Sequence, residues 1–351
     1  MTKNLTRYSQ EHSDIMAGND TLVTDSQIDS QVIPMPALTP PASPKHAMQI
    51  KMPLAGKLAL TTTWMPQYIS SLPALSDHIR CNLPEDDMVT FSPEFINKTL
   101  NGELWSSGMR FLNGPGPYML RSRTYYILNP KIEPYLPAAP GNHGAKLTAF
   151  FKGCPEEFYN FEDGVSSYEN VPMFVETINA NGHLRYMYYG NYSQTRWSDR
   201  LDYDTMMTRI PDNVKEYWAE ELTSSEREDW VTDELKKHFF PKPEYSGCIF
   251  AKAGDGDDKA SIDADVELNR NQTMARDMWK YIEELRDWDQ ETSMKTAMIK
   301  KDFILSAFQK SDLDELPALR LYWEYLECVD WRRDFYNLLV TLQSRNCDYL
   351  E

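Results

Sequence analysis

The chain has 351 residues, 41% of them hydrophobic, and a net charge of −17 at pH 7. That length admits about two domains, and the modest apolar share implies that part of the chain cannot build a core. No apolar run reaches the ~18 residues that cross a bilayer, the polar start lacks the apolar stretch of a secretory signal, and five scattered cysteines without a CxxC pair indicate neither a disulfide framework nor a zinc cage.

An intracellular chain, nuclear or cytoplasmic, with reduced thiols is therefore expected, with no membrane partner. The charge is unevenly placed. Residues 211–351 hold 19 Lys and Arg against 32 Asp and Glu, whereas residues 102–210 hold 10 against 11. Within residues 104–155 lie six basic side chains (Arg110, Arg121, Arg123, Lys131, Lys146, Lys152) and one acid, Glu133. General affinity for nucleic acid is disfavoured, because it rests on neutralising backbone phosphates. A local basic site stays open.

Residues 1 to about 50 read as disordered, being rich in Ser, Thr, Asp, Asn and Gln, with the polyproline-prone PMPALTPPASP at 34–44. Thr39-Pro40 and Ser43-Pro44 there fit minimal proline-directed phosphorylation sites. Residues 52–75 are more apolar and suit either a docking peptide or a strand. Order is expected from about Asn82. Ser92 as N-cap and Pro93 at the first helical position start a helix, which Asn101-Gly102 stops. Residues 123–128 and 145–151 read as strands from their β-branched and aromatic content.

Residues 173–178 alternate Met173, Val175 and Thr177 against Phe174, Glu176 and Ile178. They lead through Asn181-Gly182, a pair suited to a type I′ turn, into Leu184, Tyr186, Tyr188 and Tyr192 alternating with Arg185, Met187, Tyr189 and Asn191. Gly190 suggests a bulge that lets Asn191 and Tyr192 change direction. Helical spacing follows at 203–207 and 212–222. Ser224 and Ser225 with Glu228 suggest a capping box for a helix reaching about His238. A short strand is expected at Cys248-Ile249-Phe250, then a solvated acidic linker at 254–267, then helices at 273–288, 302–309, 317–329 and 330–342.

The fold expected is α+β: a small, mostly antiparallel sheet or open pseudo-barrel with flanking helices, plus a C-terminal helical subdomain. The division is a disordered 1–81, a module at 82–252, the acidic linker at 253–268, and helices at 269–345 packing back on the module.

PGNHGAKLTAF, VPMFVE, YMYYGNYSQTRWSD, VKEYWAEEL and LRLYWEYLECVDWRRDFYNLLV together resemble a fungal domain family of unknown function, found mainly in mushroom-forming species. The resemblance spans about residues 85–345 and implies no catalytic or binding residue. By analogy alone, short strands with a basic flank and an aromatic hairpin are also similar to small pseudo-barrels that read RNA or modified bases.

Catalytic and metal motifs are weak. His143 sits in a glycine-framed turn, where polar side chains commonly satisfy nearby backbone. A Cys154–His143 nucleophile and base would need an orienting group and an oxyanion site. An EF-hand loop begun at Asp255 places Lys259 and Ala260 at positions that require an oxygen ligand and glycine. With six histidines and no His pair at ligand spacing, no metal and no cofactor are expected. The leading expectation is a non-enzymatic interaction module with a protein partner, a basic one suiting the acidic face. It would use the Tyr186–Trp197 surface, with Tyr189, Asn191, Tyr192, Arg196 and Trp197 as its residues, and the flexible N-terminal segment; His143 is a further binding candidate. The alternative is a reader of nucleic acid or a modified base that stacks on those rings and adds Arg121, Arg123 and Lys146. An enzyme is the third class and has no motif behind it.

Overall fold

The computed structural model describes residues 64–84, 88–114, 118–159, 166–248, 264–313 and 317–349. The proline-rich stretch with its Thr-Pro and Ser-Pro pairs, residues 52–63, Ile249, Phe250 and residues 251–263 of the acidic segment lie outside the described residues. Packing starts well before Asn82. Helices α1 (Gln67–Ser71) and α2 (Asp77–Arg80) flank the buried Leu75, Ile69 is buried on α1, and Trp64 meets Tyr135 edge to face at 5.2 Å. Helix α3 (Pro93–Leu100) forms as its caps require: the Ser92 hydroxyl accepts the Phe95 amide at 3.0 Å, and Asn101 ends it at φ 51°.

The strands are β1 (Glu103–Ser106), β2 (Met109–Phe111), β3 (Thr124–Leu128) and β4 (Gly144–Thr148), followed by helix α4 (Pro155–Tyr159). Then come β5 (Val171–Ile178), β6 (Leu184–Ser193) and β7 (Trp197–Arg200). Helices α5 (Tyr203–Thr208), α6 (Asp212–Thr223), α7 (Asp229–Phe239), α8 (Ala264–Ala297) and α9 (Lys301–Gln309) lead to β8 (Tyr322–Asp330) and α10 (Arg333–Ser344). Among the described residues the strands form one sheet in the order β1-β2-β3-β5-β6-β8-β4. Only β3 and β5 run parallel. Strand β7 continues the β6 edge along β8, pairing Trp197 with Glu324 where β6 paired Tyr192 with Cys328. The sheet does not close, but its ends approach: Lys146 Nζ on β4 donates to the Ser107 carbonyl between β1 and β2 at 3.3 Å.

Both faces of this sheet are buried. One carries Met109, Tyr126, Met173, Val175, Tyr189 and Leu326. The other is covered in two parts. Tyr125, Phe174 and Tyr188 lie with residues of α3 and α10, while Leu147, Trp323 and Tyr325 lie with residues of α5, α6, α7 and α9.

Four local expectations need correcting. Residues 317–329 are not helical, since Tyr322–Asp330 is strand β8 within the sheet. Its two faces are both apolar, Trp323 and Tyr325 on one and Leu326 and Cys328 on the other, so the run imitates a broad helical face. The hairpin turn is not type I′. Only Gly182 has positive φ, and its amide bonds the Asn179 carbonyl at 3.0 Å, which is a three-residue loop ending in a left-handed glycine. No capping box forms at Ser224: its hydroxyl accepts the Glu226 amide at 3.1 Å, and α7 starts at Asp229. Helix α8 reaches beyond 273–288 at both ends and takes in the last residues of the expected linker.

Candidate functional site

The aromatic hairpin forms, and its rings are sealed inside. Residues Tyr186, Tyr188, Tyr189 and Tyr192 are all buried, as are Arg185 and Asn191. A register shift at Gly190, paired with Met173, moves Tyr192 onto the Tyr189 face, the change of direction that the glycine suggested. Three polar tips then find internal partners. The Tyr188 hydroxyl donates to Asn191 Oδ1 at 2.6 Å, Asn191 Nδ2 donates to the Asn170 carbonyl at 3.1 Å, and the Tyr192 hydroxyl donates to the Asn142 carbonyl at 2.9 Å. Burial pushes the Tyr188, Tyr189 and Tyr192 hydroxyls above the ordinary tyrosine range. The expectation that some of these rings stand uncovered is overturned. The physical reason is that helices cover the second sheet face, which the hairpin sequence alone does not reveal.

The remaining candidates do not converge. Arg196 is exposed, ion-paired to Asp199 at 2.6 Å and set over the Tyr68 and Tyr325 rings at 5.1 and 5.9 Å. Its aromatic neighbours therefore come from α1 and β8 rather than from the hairpin. Trp197 lies in β7, and its side chain is outside the described residues. His143 is a structural tie: its Nδ1 accepts the Cys328 amide at 2.9 Å and its Nε2 donates to the Pro73 carbonyl at 2.8 Å. Arg121 and Asn191 line one small cleft with Arg332, whereas Arg123 sits over the Tyr118 ring at 5.0 Å. Cys154 is half-buried, and burial raises its thiol above the usual range, which opposes a thiolate nucleophile. Among the described residues no His, Cys, Asp or Glu group is arranged to hold a metal.

Lys146 is not a surface charge. Its side chain is 1% exposed and pairs with Glu324 Oε1 at 2.6 Å, across the β4–β8 register that places the two residues opposite each other. Gln194 donates to the other Glu324 oxygen, so both carboxylate oxygens of the buried pair are answered. Glu133, 3% exposed, lies in the same neighbourhood. Its Oε2 accepts the Leu147 amide at 2.9 Å. Burial pushes its carboxyl up to about 8, against the opposing pull of Lys146. The sequence marked Glu133 only as the lone acid among basic residues and gave no sign that it is buried.

A different element presents the apolar surface. On α8 one side is held: the Tyr281 hydroxyl donates to the Pro243 carbonyl and Trp288 Nε1 to the Phe240 carbonyl, both at 3.1 Å, and Lys236 pairs with Asp289 at 2.6 Å. The other side is bare. Leu268, Met278, Trp279 and Ile282 are exposed, Trp279 at 67%. Leu268, Ala275 and Ile282 recur every seven residues with Met278 between them, the a and d spacing of a helix-to-helix seam. The helix is also uneven in charge. Its first half balances Arg270, Arg276 and Lys280 against Asp265, Glu267 and Asp277, whereas the second sets Glu283, Glu284, Asp287, Asp289 and Glu291 against Arg286 and Lys295. No helix among the described residues is long and apolar enough to cross a membrane.

No curated protein and no solved structure matches this chain. A family model described as a domain of unknown function, DUF6697, matches residues 90–342, from the cap of α3 into α10 and so across all eight strands. The chain belongs to that family.

Proposed function

We propose that this chain is a protein-interaction module that docks helix to helix, with the bare side of α8 as the docking element. The exposed heptad of Leu268, Ala275, Met278 and Ile282, with Trp279 beside it, carries the reading. Large contiguous apolar surface left open on a folded chain marks an interaction site, and a buried Trp anchor supplies much of the energy in such contacts. The occupant is a second copy of this chain running antiparallel. That direction sets Arg270, Arg276 and Lys280 against the acidic second half of the copy, whereas a parallel copy would lay the two acidic halves on each other. The free thiols of Cys81, Cys154, Cys248 and Cys328 suit a reducing compartment inside the cell.

The burial of the hairpin tyrosines favours this reading over a nucleic-acid one, which would stack bases on those rings. Analytical ultracentrifugation of the full chain tests the proposal. A dimer at micromolar concentration that loosens with salt is expected, and Trp279→Glu combined with Ile282→Glu should abolish it without changing the melting transition. A chain that stays monomeric at every concentration reached, or a dimer indifferent to the double substitution, would refute the proposal.

A further inference from the structure

Ahead of the family domain, which starts at residue 90, the chain lays a strap against the sheet. Residues 64–75 read WMPQYISSLPAL. Pro66 and Pro73 bracket its one short helix, α1, and it adds no strand to the sheet among the described residues. Its backbone bonds close on itself, Ser70 onto the Pro66 carbonyl at 3.1 Å and Leu72 onto the Ile69 carbonyl at 3.2 Å. Apolar anchors hold it instead. Trp64 meets Tyr135 at 5.2 Å and Trp323 at 6.3 Å, and Tyr68 lies against Tyr325 at 4.7 Å. Ile69 and Leu75 are buried, whereas Gln67, Ser70 and Ser71 face solvent.

The floor beneath suits such anchors. Trp323 and Tyr325 share one face of β8, and Tyr135 stands edge-on to Trp323 at 5.2 Å. Cations flank the rings that dock there: the Arg209 guanidinium is 5.0 Å from the Trp64 ring, and that of Arg196 is 5.1 Å from the Tyr68 ring. Two polar ties fix the direction of the strap. The Tyr68 and Thr195 hydroxyls are 3.2 Å apart, and His143 Nε2 donates to the Pro73 carbonyl at 2.8 Å. Past Pro73 the fit loosens, leaving a cleft of about 350 Å³ between Leu72, Leu75 and Arg80 of the N-terminal segment and the Pro140–His143 turn. A segment seated by ring anchors, without strand pairing and with space left beneath it, is held as a peptide ligand is held. We infer that Tyr135, Trp323 and Tyr325 floor a peptide-binding groove that residues 64–75 fill in cis. The partner it takes in trans is a peptide with a tryptophan and a tyrosine four residues apart, followed by an aliphatic side chain. The strap competes as a tethered copy of that ligand, and a partner binds only in proportion to the time the groove is uncovered.

A fluorescent dodecamer of sequence WMPQYISSLPAL is the probe, with a control dodecamer that has alanine in place of its tryptophan and tyrosine. Anisotropy compares the full parent chain with the full chain carrying Trp64→Ala and Tyr68→Ala. The double variant lacks the tethered anchors, so it should bind the probe about tenfold more tightly than the parent does, or better, and neither chain should bind the control. Adding Arg209→Ala to the double variant should weaken the probe, since the cation over its tryptophan is gone. Hydrogen exchange in the parent reads release of the strap with no variant needed. Millimolar probe should speed exchange at Ser70 and Leu72, by trapping the uncovered groove, and leave Tyr325 unaltered. A folded double variant that binds probe and control alike, or binds neither, would overturn the inference. Exchange at Ser70 and Leu72 that the probe does not change would overturn it as well, whether or not the variant folds.

Discussion

Replacing Glu133 with glutamine should stabilise the protein in alkaline solution and leave it nearly unchanged in acid. Glu133 is 3% exposed, and burial lifts its carboxyl from 4.5 in the unfolded chain to about 8 in the folded one, even with Lys146 and the Leu147 amide pulling the other way. Between those values the folded chain holds a proton that the unfolded chain has already released. Stability therefore falls as pH rises through that window, at about 1.4 kcal/mol per pH unit, and levels off above about pH 8. Three and a half pH units amount to roughly 4–5 kcal/mol, an upper bound because the folded state relaxes around a charge. Glutamine keeps an oxygen for the Leu147 amide and cannot ionise. Urea midpoints for both proteins from pH 5 to pH 9 measure the difference, and groups that titrate elsewhere cancel in it. The variant should draw level near pH 5 and lead by several kcal/mol near pH 9. A gap that does not change with pH, or a parent that is the more stable at pH 9, refutes the reasoning.

Lys146→Met leaves the Glu324 carboxylate buried without its cation and should cost about 3–5 kcal/mol, whereas Lys146→Met with Glu324→Leu should recover most of that loss. Singles and double compared by urea melts decide it, and simple additivity would mean that the two side chains are uncoupled. His143→Ala strips β8 of the acceptor for its Cys328 amide and frees the Pro73 carbonyl. It should cost about 2–4 kcal/mol, two hydrogen bonds plus a strand amide left unpaired, and hydrogen exchange at Cys328 should rise faster than at Tyr125; equal acceleration at both would assign the loss to global unfolding instead.

Local chemistry was legible wherever one residue type forces one geometry. The Ser92–Pro93 cap, the stop at Asn101 and the Gly190 bulge all follow from what single residues permit: at Gly190 a Cβ would stand 3.0 Å from the Asp330 carbonyl oxygen at φ 121°. What needs tertiary context was not. Tyr322–Asp330 places large apolar groups on both sides, and period alone cannot separate a strand buried on both faces from a helix. Nothing in the sequence marks Glu133 or Glu324 as buried, because burial of a carboxylate leaves no mark in its neighbours along the chain. Basic residues 104–155 looked like a patch but are dispersed: Lys146 faces Glu324, and Lys152 pairs with Glu228 beneath the Trp105 ring.

The hairpin misled for a related reason, and the reason bears on where function lies. An antiparallel sheet with one wet face would have left half of the Tyr186–Tyr192 rings free to stack on something. Here β8 inserts between β6 and β4, and α3, α10 and helices α5, α6, α7 and α9 close over the second face. A sheet covered on both sides can meet another molecule only where its cover lifts or from the cover itself. The strap of residues 64–75 is cover held by ring anchors on Tyr135, Trp323 and Tyr325, and along α8 the cover extends beyond what it covers, where Trp279 stands clear. Those two places, rather than the hairpin that the sequence singled out, are where this fold has surface left to use.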